Sequence, residues 1–452
     1  MRVGFSKVEI TPPLGTPCSL GVDDELVEVW DETWVRALCL VGDGEVPVFF
    51  LSADVIGFSW EDRADVGAAL SNRLGRTDFE LVCHSVHQHQ APNVRWHMFS
   101  ELREHGLNAI SREYYGFFVG AAAQAAERAF ADAADCVGVG FGEAPVSGIQ
   151  SNRRLVGDDG EIVMRYSRPP EELKREPEGH IDPLVRTLVF RRSGKGDVCW
   201  VNYHGHPTAT GGDEGPWSTG DFPGQALRLL EKDVEDTSFI YGTGPHGNLN
   251  PGKYVTGAKD DNEAKVRDRD RMGRILAEGT VSALDRSDAL GLSEPRFRRE
   301  RLLVPRKAGG ASAEEADAQF RDGIAEASAA HARGEKVSGG GSIRGAMHRR
   351  SVHRRLVGGR VPLYVSVLGL GEGGVVFFPG EIFLESGEQV RASCAGRPLL
   401  DLSLCDISSG YIPTPDVYDA GGYELSASHV SAEAFGCCVA SACRLLEQAS
   451  DG

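Results

Sequence analysis

The sequence lacks the features of several large protein classes. No run approaches the roughly 18 apolar residues of a membrane span, and the opening MRVGFSKVEITPPLG lacks the basic and apolar regions of a secretory signal. We therefore expect a cytoplasmic protein without an integral membrane segment. Basic residues are also few, with 48 Lys and Arg against 66 Asp and Glu and a net charge of −18. This deficit argues against nucleic acid as a partner, because nucleic-acid binding needs a basic surface.

Several catalytic and metal-binding motifs are missing as well. The ten cysteines never form a CxxC pair, which argues against a structural zinc knuckle and favours buried free thiols. The chain has no GxSxG elbow and no HExxH helix. The stretch IYGTGPHGNLNPGKY (240–254) lacks the GKS or GKT ending of a phosphate-binding loop, so we interpret it as a loop whose backbone passes close to another group. These absences remove the main support for serine-hydrolase, zincin and P-loop functions.

The chain does alternate strand-like and helix-like segments, which indicates an α/β fold of mixed sheets layered with helices. The predicted strands cover 47–54, 79–86, 186–192 and 198–205, and the predicted helices cover 111–133, 221–233, 261–284 and 431–448. Asp221 and Ser431 stand where N-caps belong. The length of 452 residues allows one large catalytic domain or two to three ordinary ones. We predict a single domain over 1–452.

Two features of the sequence bear on internal organisation. Residues 305–360 are polar, rich in Ala and Arg and flanked by glycines, so we predict a helical excursion packed on the domain. Segment 40–66 resembles segment 367–392, since each has the pattern of a strand, a glycine turn, a strand and then an acidic residue before a helix. One interpretation is two similarly built halves, and the alternative is a chance similarity.

The histidines are concentrated in short segments. LVCHSVHQHQAPN holds three of the 13 histidines within six positions, directly after an apolar run. Because alternate residues of a strand face the same way, His87 and His89 are predicted to project together, with His84 on the opposite face. The same holds for His204 and His206 in NYHGHPT. Two such pairs can supply imidazoles to one metal ion. The alternative is that they cap strand ends and hydrogen-bond to the backbone.

Further ligands must come from later in the chain, because zinc usually has three or four protein ligands. Glu381 follows the apolar strand VVFFPG directly, where its carboxylate is presented at the strand end. The alternative role for Glu381 is an N-cap of a helix starting near Ile382. The loop SSGYIPTPDVYDAGGYE (408–424) has three tyrosines, and long loops of this kind often carry function. Asp54 and Asp221 stand where they either accept hydrogen bonds from histidine ligands or cap helices.

Taken in order, these motifs resemble the catalytic domain of the neutral (non-lysosomal) ceramidase family, which are zinc-dependent hydrolases of N-acyl amide bonds. VHQHQAPN is similar to the family's His-Thr-His-Ser-Gly-Pro segment, YHGHPTAT to its His-Pro-Thr segment and STGDFPG to its Ser-Gly-Asp stretch. HGNLNPG is similar to the Gly-Asp-x-Ser-Pro loop, FFPGE to Pro-Gly-Glu, and GYIPTPDVYDAGGYE to the tyrosine loop that ends in Tyr-Glu. The resemblance runs from residue 5 to about 440.

The resemblance implies one zinc ion per chain and assigns residues to it. The implied zinc ligands are His87, His206, Glu381 and Tyr411, and the residues implied to contact the reacting amide are His89, Arg153 and Tyr423. His84 and His204 are left as support. By this resemblance, water activated by zinc attacks the amide carbonyl while His89 carries the proton, and Arg153 and Tyr423 stabilise the oxyanion.

Departures from the family's pattern shape the predicted substrate. Asn250 replaces the serine of the Gly-Asp-x-Ser-Pro loop, so no serine nucleophile acts there, and we expect Asn250 and Asp221 to bind substrate. We also expect a short form without the family's immunoglobulin-like C-terminal domain. We therefore predict hydrolysis of a small soluble N-acyl compound, with ceramide-like lipids as one alternative and a metal-bound binding protein or pseudoenzyme as another. An amidohydrolase-type (β/α)₈ barrel is disfavoured, because regular βα repeats and a C-terminal Asp ligand are absent.

Overall fold

The secondary structure follows the hydrophobic pattern of the sequence closely. The computed structural model describes residues 1–18, 21–44, 46–157, 160–212, 215–335, 337, 341–394, 396–408 and 410–450. In chain order, its strands are β1 (Arg2–Glu9), β2 (Glu28–Val29), β3 (Trp34–Val41), β4 (Pro47–Ala53), β5 (Glu80–Ser85), β6 (Ala134–Pro145), β7 (Ser151–Asn152), β8 (Arg154–Val156), β9 (Ile162–Met164), β10 (Leu184–Arg192), β11 (Asp197–Tyr203), β12 (Trp217–Ser218), β13 (Thr237–Thr243), β14 (Leu249–Asn250), β15 (Asp288–Leu290), β16 (Arg296–Val304), β17 (Val361–Leu370), β18 (Gly373–Phe377), β19 (Glu381–Ile382), β20 (Leu399–Leu402) and β21 (Tyr411–Ile412).

The helices are α1 (Trp60–Leu74), α2 (Trp96–Phe99), α3 (Arg112–Asp132), α4 (Glu171–Arg175), α5 (Asp221–Asp233), α6 (Asn262–Asp285), α7 (Ala313–Ala332), α8 (Gly341–Arg354), α9 (Glu385–Ser393), α10 (Val417–Ala420), α11 (Tyr423–Ser426) and α12 (Glu433–Ser450), and a 3₁₀ helix covers Ser100–His105. All eight predicted strands and helices are present with ends within two residues of the prediction. Strand β4 is buried along its whole length, as expected for a sheet covered on both faces.

Two mixed sheets pack face to face. The larger has nine strands in the order β13-β11-β10-β6-β1-β3-β4-β5, with β15 paired to β6, and the smaller has the order β16-β17-β18-β20. Side chains from both sheets form one buried cluster, in which Phe50 and Trp200 of the larger sheet meet Phe377 of the smaller. Burying these large aromatic side chains is the main driving force for the pairing of the sheets.

Helices cover the outer faces of both sheets. Helices α1 and α3 pack on one half of the larger sheet, and α5 and α6 pack on the other half. Helices α9 and α12 cover the smaller sheet. The predicted α/β fold of mixed sheets layered with helices is confirmed.

One topological unit occurs three times. In β3–β4–α1–β5, two antiparallel strands are followed by a helix and a third strand parallel to the second, and β10–β11–α5–β13 and β17–β18–α9–β20 repeat this arrangement. The first and third units contain the segments 40–66 and 367–392 that resemble each other in sequence. The second unit has no such sequence similarity to the other two that we detected. The repetition in the structure therefore extends beyond the two similar segments.

Helices α7 and α8 lie between β16 and β17 in the chain and pack on each other. Their apolar side chains form a separate cluster with Phe99 and Leu102, beside the loop that follows β5. On the polar side, Arg350 forms an ion pair with Glu101 at 2.8 Å. The excursion is therefore held against the β5 end of the larger sheet. Within the described residues, no helix has the length and apolar character needed to cross a bilayer.

Candidate metal centre

Four side chains converge where strands of the three units end. His87 follows β5, His206 follows β11, His246 follows β13 and Glu381 begins β19 shortly after β18. Because these strands belong to the parallel pairs β4–β5, β11–β13 and β18–β20, their carboxyl ends open at corresponding edges of the sheets. The fold thus assembles residues that are far apart in sequence.

The ligand atoms of this group are close enough to share one ion. One atom from each of His87, His206, His246 and Glu381 lies within 4.8 Å of all the others. The Nε2 atoms of His87 and His206 lie 3.4 and 3.1 Å from Oε2 of Glu381. Two ligands of a tetrahedral ion with bonds of about 2.0 Å are separated by roughly 3.3 Å. The spacing therefore fits a small divalent cation.

Hydrogen bonds fix which ring nitrogen faces the centre. The Nδ1 atoms of the three histidines contact backbone carbonyl oxygens, which belong to Ile56 at 2.8 Å from His87, Leu249 at 2.7 Å from His206 and Gly244 at 2.8 Å from His246. A carbonyl only accepts hydrogen bonds, so each Nδ1 carries a proton and Nε2 is the ring nitrogen left to face the centre. The Nε2 atom of His246 is buried and has no hydrogen-bond partner among the described residues. Acceptor atoms that face one another in this way suit a cation bound between them.

Burial keeps these groups in the protonation states that bind a metal. Burial lowers the pKa of His206 to about 4, although Glu381 opposes the shift, and it lowers the pKa of His246 well below its usual value. Burial alone would raise the pKa of Glu381, but the neighbouring imidazoles of His87 and His206 hold it well below the usual range. At neutral pH His206 and His246 therefore offer neutral imidazoles and Glu381 offers a carboxylate. This donor set suits zinc.

The backbone at His87 is specially shaped for this site. Its φ angle of 73° lies in the left-handed region, which non-glycine residues rarely adopt. Such a conformation costs free energy and persists where the surrounding structure enforces it, often at functional sites. The adjacent amides are held in place, with Val86 N–H donating to Ala53 O at 2.9 Å and Gln88 N–H donating to Val55 O at 3.0 Å. The chain therefore positions the His87 ring before any ligand arrives.

Tyr411 adjoins the centre through a short parallel bridge. Strand β21 pairs with β19 so that Tyr411 stands opposite Glu381, and the two side chains are hydrogen-bonded. Burial raises the pKa of Tyr411 well above its usual value, although the nearby guanidinium of Arg153 opposes that shift. The hydroxyl is therefore protonated and donates to the carboxylate of Glu381.

A cavity of about 290 Å³ opens beside the centre. His87, His89, Glu381, Tyr411 and Tyr423 all line it. The His89 ring centroid lies 4.8 Å from that of His87, and its Nδ1 donates to Gly212 O at 2.9 Å. Burial, and then the neighbouring His87, lower the pKa of His89 well below its usual value, so Nε2 is the basic nitrogen of a neutral ring.

Arg153 lies behind Tyr411 and outside the wall of this cavity. Its Nε donates to Oε1 of Glu424 at 2.7 Å, and another guanidinium nitrogen donates to Gly247 O at 2.6 Å. The guanidinium carbon is 5.0 Å from the ring centroid of Tyr411 and 5.6 Å from that of Tyr423. Arg153 therefore packs against the rings of Tyr411 and Tyr423 and fixes their positions.

The two predicted substrate-binding residues hold loops together. The Asn250 side chain donates to Arg165 O at 2.7 Å and accepts from Gly252 N–H at 3.0 Å, which uses both ends of its amide. The Asp221 carboxylate accepts from the backbone and hydroxyl of Thr210 at 2.9 and 2.6 Å. Neither residue lines the cavity beside the metal centre. Asp221 is also the first residue of α5, whose N-cap is Gly220.

The remaining histidines of the two motifs are structural, which corrects one sequence prediction. His204 does not project with His206, because β11 ends at Tyr203 and its ring turns to Asp401, with Nε2 and Oδ2 3.1 Å apart. His84 joins three strands: its Nδ1 donates to Ser403 O at 2.9 Å and its Nε2 accepts from Thr243 N–H at 3.0 Å.

Two further alternatives are now decided. The N-cap role of Glu381 is wrong, because α9 begins four residues later at Glu385. Asp54 accepts a hydrogen bond from Trp34 N–H at 2.8 Å, and backbone carbonyls serve the histidine ligands instead. Sequence reasoning also missed His246. The available signal was its position just after a strand, the same position that singled out the other histidines.

Comparison with known proteins identifies the fold. No family model matches the chain, and no curated protein matches it in sequence. Among solved structures, the neutral ceramidase from Pseudomonas aeruginosa matches with a TM-score of 0.70 and 15% sequence identity, covering 100% of this chain and 75% of that one. A ceramidase complexed with C2 matches with a TM-score of 0.69 and 15% identity, covering 100% of this chain and 76% of that one. The chain therefore has the neutral ceramidase fold.

Proposed function

We propose that this protein is a zinc-dependent hydrolase of an N-acyl amide bond in a small compound. The observation that carries the proposal is the convergence of three Nε2 atoms and a carboxylate on one point of a cavity wall. The likeness in fold to ceramidases supports amide hydrolysis as the reaction class. The cavity of about 290 Å³ lies near the lower end of ligand pockets, which span roughly 300–1,000 Å³, and this supports a small substrate.

In this proposal His87, His206, His246 and Glu381 hold the zinc ion. We assign the fourth position to His246 because its buried Nε2 lacks another partner among the described residues, whereas the Tyr411 hydroxyl already donates to Glu381. Tyr411 then orients the carboxylate. A zinc ion bound there polarises the amide carbonyl and lowers the pKa of water to about 7.

The chain's own residues handle the proton and the oxyanion. His89 is neutral and borders the cavity. Only its Nε2 can exchange a proton during the reaction, because Nδ1 already donates to Gly212 O. It accepts a proton from the attacking water at Nε2 and delivers it to the nitrogen of the leaving amine. Tyr423, in the cavity wall, donates its hydroxyl to the carbonyl oxygen as negative charge develops. Arg153 supports the reaction by fixing Tyr411 and Tyr423.

The experiment combines metal analysis with turnover. Wild type, His87→Ala and Glu381→Ala are purified without chelator, analysed for metal content and assayed against a panel of N-acyl amides. We expect about one zinc per chain in wild type, loss of zinc in both variants, and loss of hydrolysis in parallel.

The controls separate the possible failures. His97→Ala removes a half-exposed histidine that pairs with Asp65 outside the centre, and it should leave zinc and turnover unchanged. Zinc without hydrolysis of any amide would overturn the enzymatic part and favour a metal-bound binding protein. Absence of metal from wild type, including after incubation with zinc, would overturn the centre itself.

A further inference from the structure

The cavity beside the metal centre has a strongly basic lining. Arg95, Arg344 and Arg349 line the same cavity as the ligands, and Glu381 is the single carboxylate among the described residues of its lining. Arg95 is only 4% exposed, and its guanidinium lies 4.8 Å from the ring centroid of Phe99. In a chain with a net charge of −18, such a concentration of arginines beside a reaction centre needs a specific explanation.

The basic lining continues into a neighbouring cavity. This second cavity, of about 400 Å³, shares Arg349, Ser426 and His429 with the first and adds Arg306 and Lys307. Its carboxylate, Glu315, accepts from Ser312 N–H at the start of α7. The two cavities thus lie side by side across these shared residues, and we call the pair the passage; five cationic side chains and two carboxylates line it.

Neutral partners hold several of these cations in position without cancelling their charge. Arg349 donates to the amide oxygen of Gln319 at 2.7 Å, and Lys307 donates to Leu425 O at 2.5 Å. Gly345 makes room for Arg349, because a Cβ at position 345 would lie only 3.2 Å from its guanidinium. The side chain therefore folds back along α8 towards the cavity.

The titratable groups in the passage respond to this positive charge. Burial, followed by the nearby Arg344, lowers the pKa of Arg95 to about 9. Burial, followed by Lys307, lowers the pKa of His429 to about 4, and burial together with Arg95 lowers the pKa of His348 well below its usual value. Both histidines are therefore neutral, and the arginines carry the charge at neutral pH.

We infer that the amide substrate carries an anionic group, a carboxylate or another oxyacid, which Arg344 and Arg349 bind beside the metal centre. The inference rests on the proposed hydrolase function. The planar guanidinium of arginine matches a carboxylate with two parallel hydrogen bonds, and the partly buried passage strengthens that interaction by excluding water. Helix α8 supplies both arginines, so the excursion between β16 and β17 determines substrate specificity.

The first test compares three amides of similar length. N-hexanoylglycine carries the carboxylate on the amine side, the mono-butylamide of glutaric acid carries it on the acyl side, and N-butylhexanamide is neutral. We expect kcat/KM for one anionic amide to exceed that for the neutral amide by about tenfold or more, mainly through KM, and to fall as salt is added.

The variants identify the residues responsible. Arg344→Gln and Arg349→Gln should each remove about tenfold of the preference by lowering kcat/KM for the anionic amide, and Arg349→Lys should retain part of it. Arg354→Gln is the matched control, since Arg354 lies on the same helix but pairs with Glu101 outside the passage. It should leave the preference intact.

A binding measurement separates failure of this inference from failure of the hydrolase. Glutarate binding is measured by calorimetry on the wild type and on both Arg→Gln variants. Binding that weakens about tenfold in the variants, without hydrolysis of any amide, would support the anion site and overturn the hydrolase. Equal kcat/KM for anionic and neutral amides, or glutarate binding that the variants leave unchanged, would overturn the anion site while the hydrolase stands.

Discussion

The assignment of His246 as a zinc ligand gives the sharpest prediction. His246→Ala removes one imidazole from the group of four ligand atoms, while His87, His206 and Glu381 stay in place. The Nδ1 atom of His246 is anchored by Gly244 O at 2.8 Å and Ser403 Oγ at 2.9 Å, so the ring is rigidly aimed at the centre. Its removal therefore deletes a pre-positioned ligand.

The magnitude follows from the hydrogen bonds around the centre. Loss of a partner that only orients a ligand typically weakens metal binding by about 10–100-fold, so loss of the ligand itself should exceed about 100-fold, or about 2.8 kcal/mol. Tyr411→Phe removes only a hydrogen bond that orients Glu381, so it should weaken binding by no more than about 10–100-fold. Ser403→Ala should have a similarly small effect, since Gly244 O still holds the ring.

Zinc affinity is measured by competition with a chromophoric chelator, and the visible spectrum of the cobalt(II)-substituted protein reports the ligand set. Circular dichroism checks that each variant is folded. The reasoning is refuted if His246→Ala binds zinc as wild type does while Tyr411→Phe loses more than 100-fold. In that case Tyr411 is the fourth ligand, as the resemblance to ceramidases implies.

Three other residues give independent predictions. His89→Ala should lower kcat by about 10²–10⁴-fold with zinc content unchanged, as turnover and elemental analysis on one sample will show. Burial lowers the pKa of His84 to about 3, below an unfolded value near 6.5, so its contribution to stability is complete above pH 6.5 and falls as the pH drops. Between pH 6.5 and 4.5, wild type should therefore lose about 2.3 kcal/mol more unfolding free energy than His84→Gln, measured with urea. Asn250→Ser should gain no serine reactivity towards a fluorophosphonate and should lose about 1–3 kcal/mol of stability, because Arg165 O loses its donor.

Local patterns in the sequence were sufficient to predict the secondary structure and part of the centre. The apolar run at 47–54 and the amphipathic segment at 221–233 form a strand and a helix because each pattern matches the period of its element. Strand-end positions singled out two histidine pairs and Glu381, and the resemblance to the neutral ceramidase family selected His87, His206 and Glu381 from among them.

Other parts of the centre depend on tertiary packing. His204 and His206 separate because the backbone leaves the strand at Tyr203, and a two-residue alternation no longer applies beyond that point. The orientation of His246 depends on how β13 meets β20, which no local pattern encodes. Arg153 packs against the two tyrosine rings because its guanidinium pairs with Glu424, which is distant in sequence. Long-range contacts of this kind produce no periodic pattern in the sequence, so they could not be predicted from it.

The spread of the ligands along the chain makes metal binding a determinant of stability. Positions 87, 206, 246 and 381 belong to three separate structural units, so an ion held by all four cross-links the units and closes two loops of more than a hundred residues between them. Unfolding then requires release of the ion, and zinc at a hundred times its dissociation constant adds about 2.7 kcal/mol to the unfolding free energy. With zinc bound as proposed, the melting temperature therefore depends on the concentration of free zinc. The ion at the reaction centre also holds the three units together.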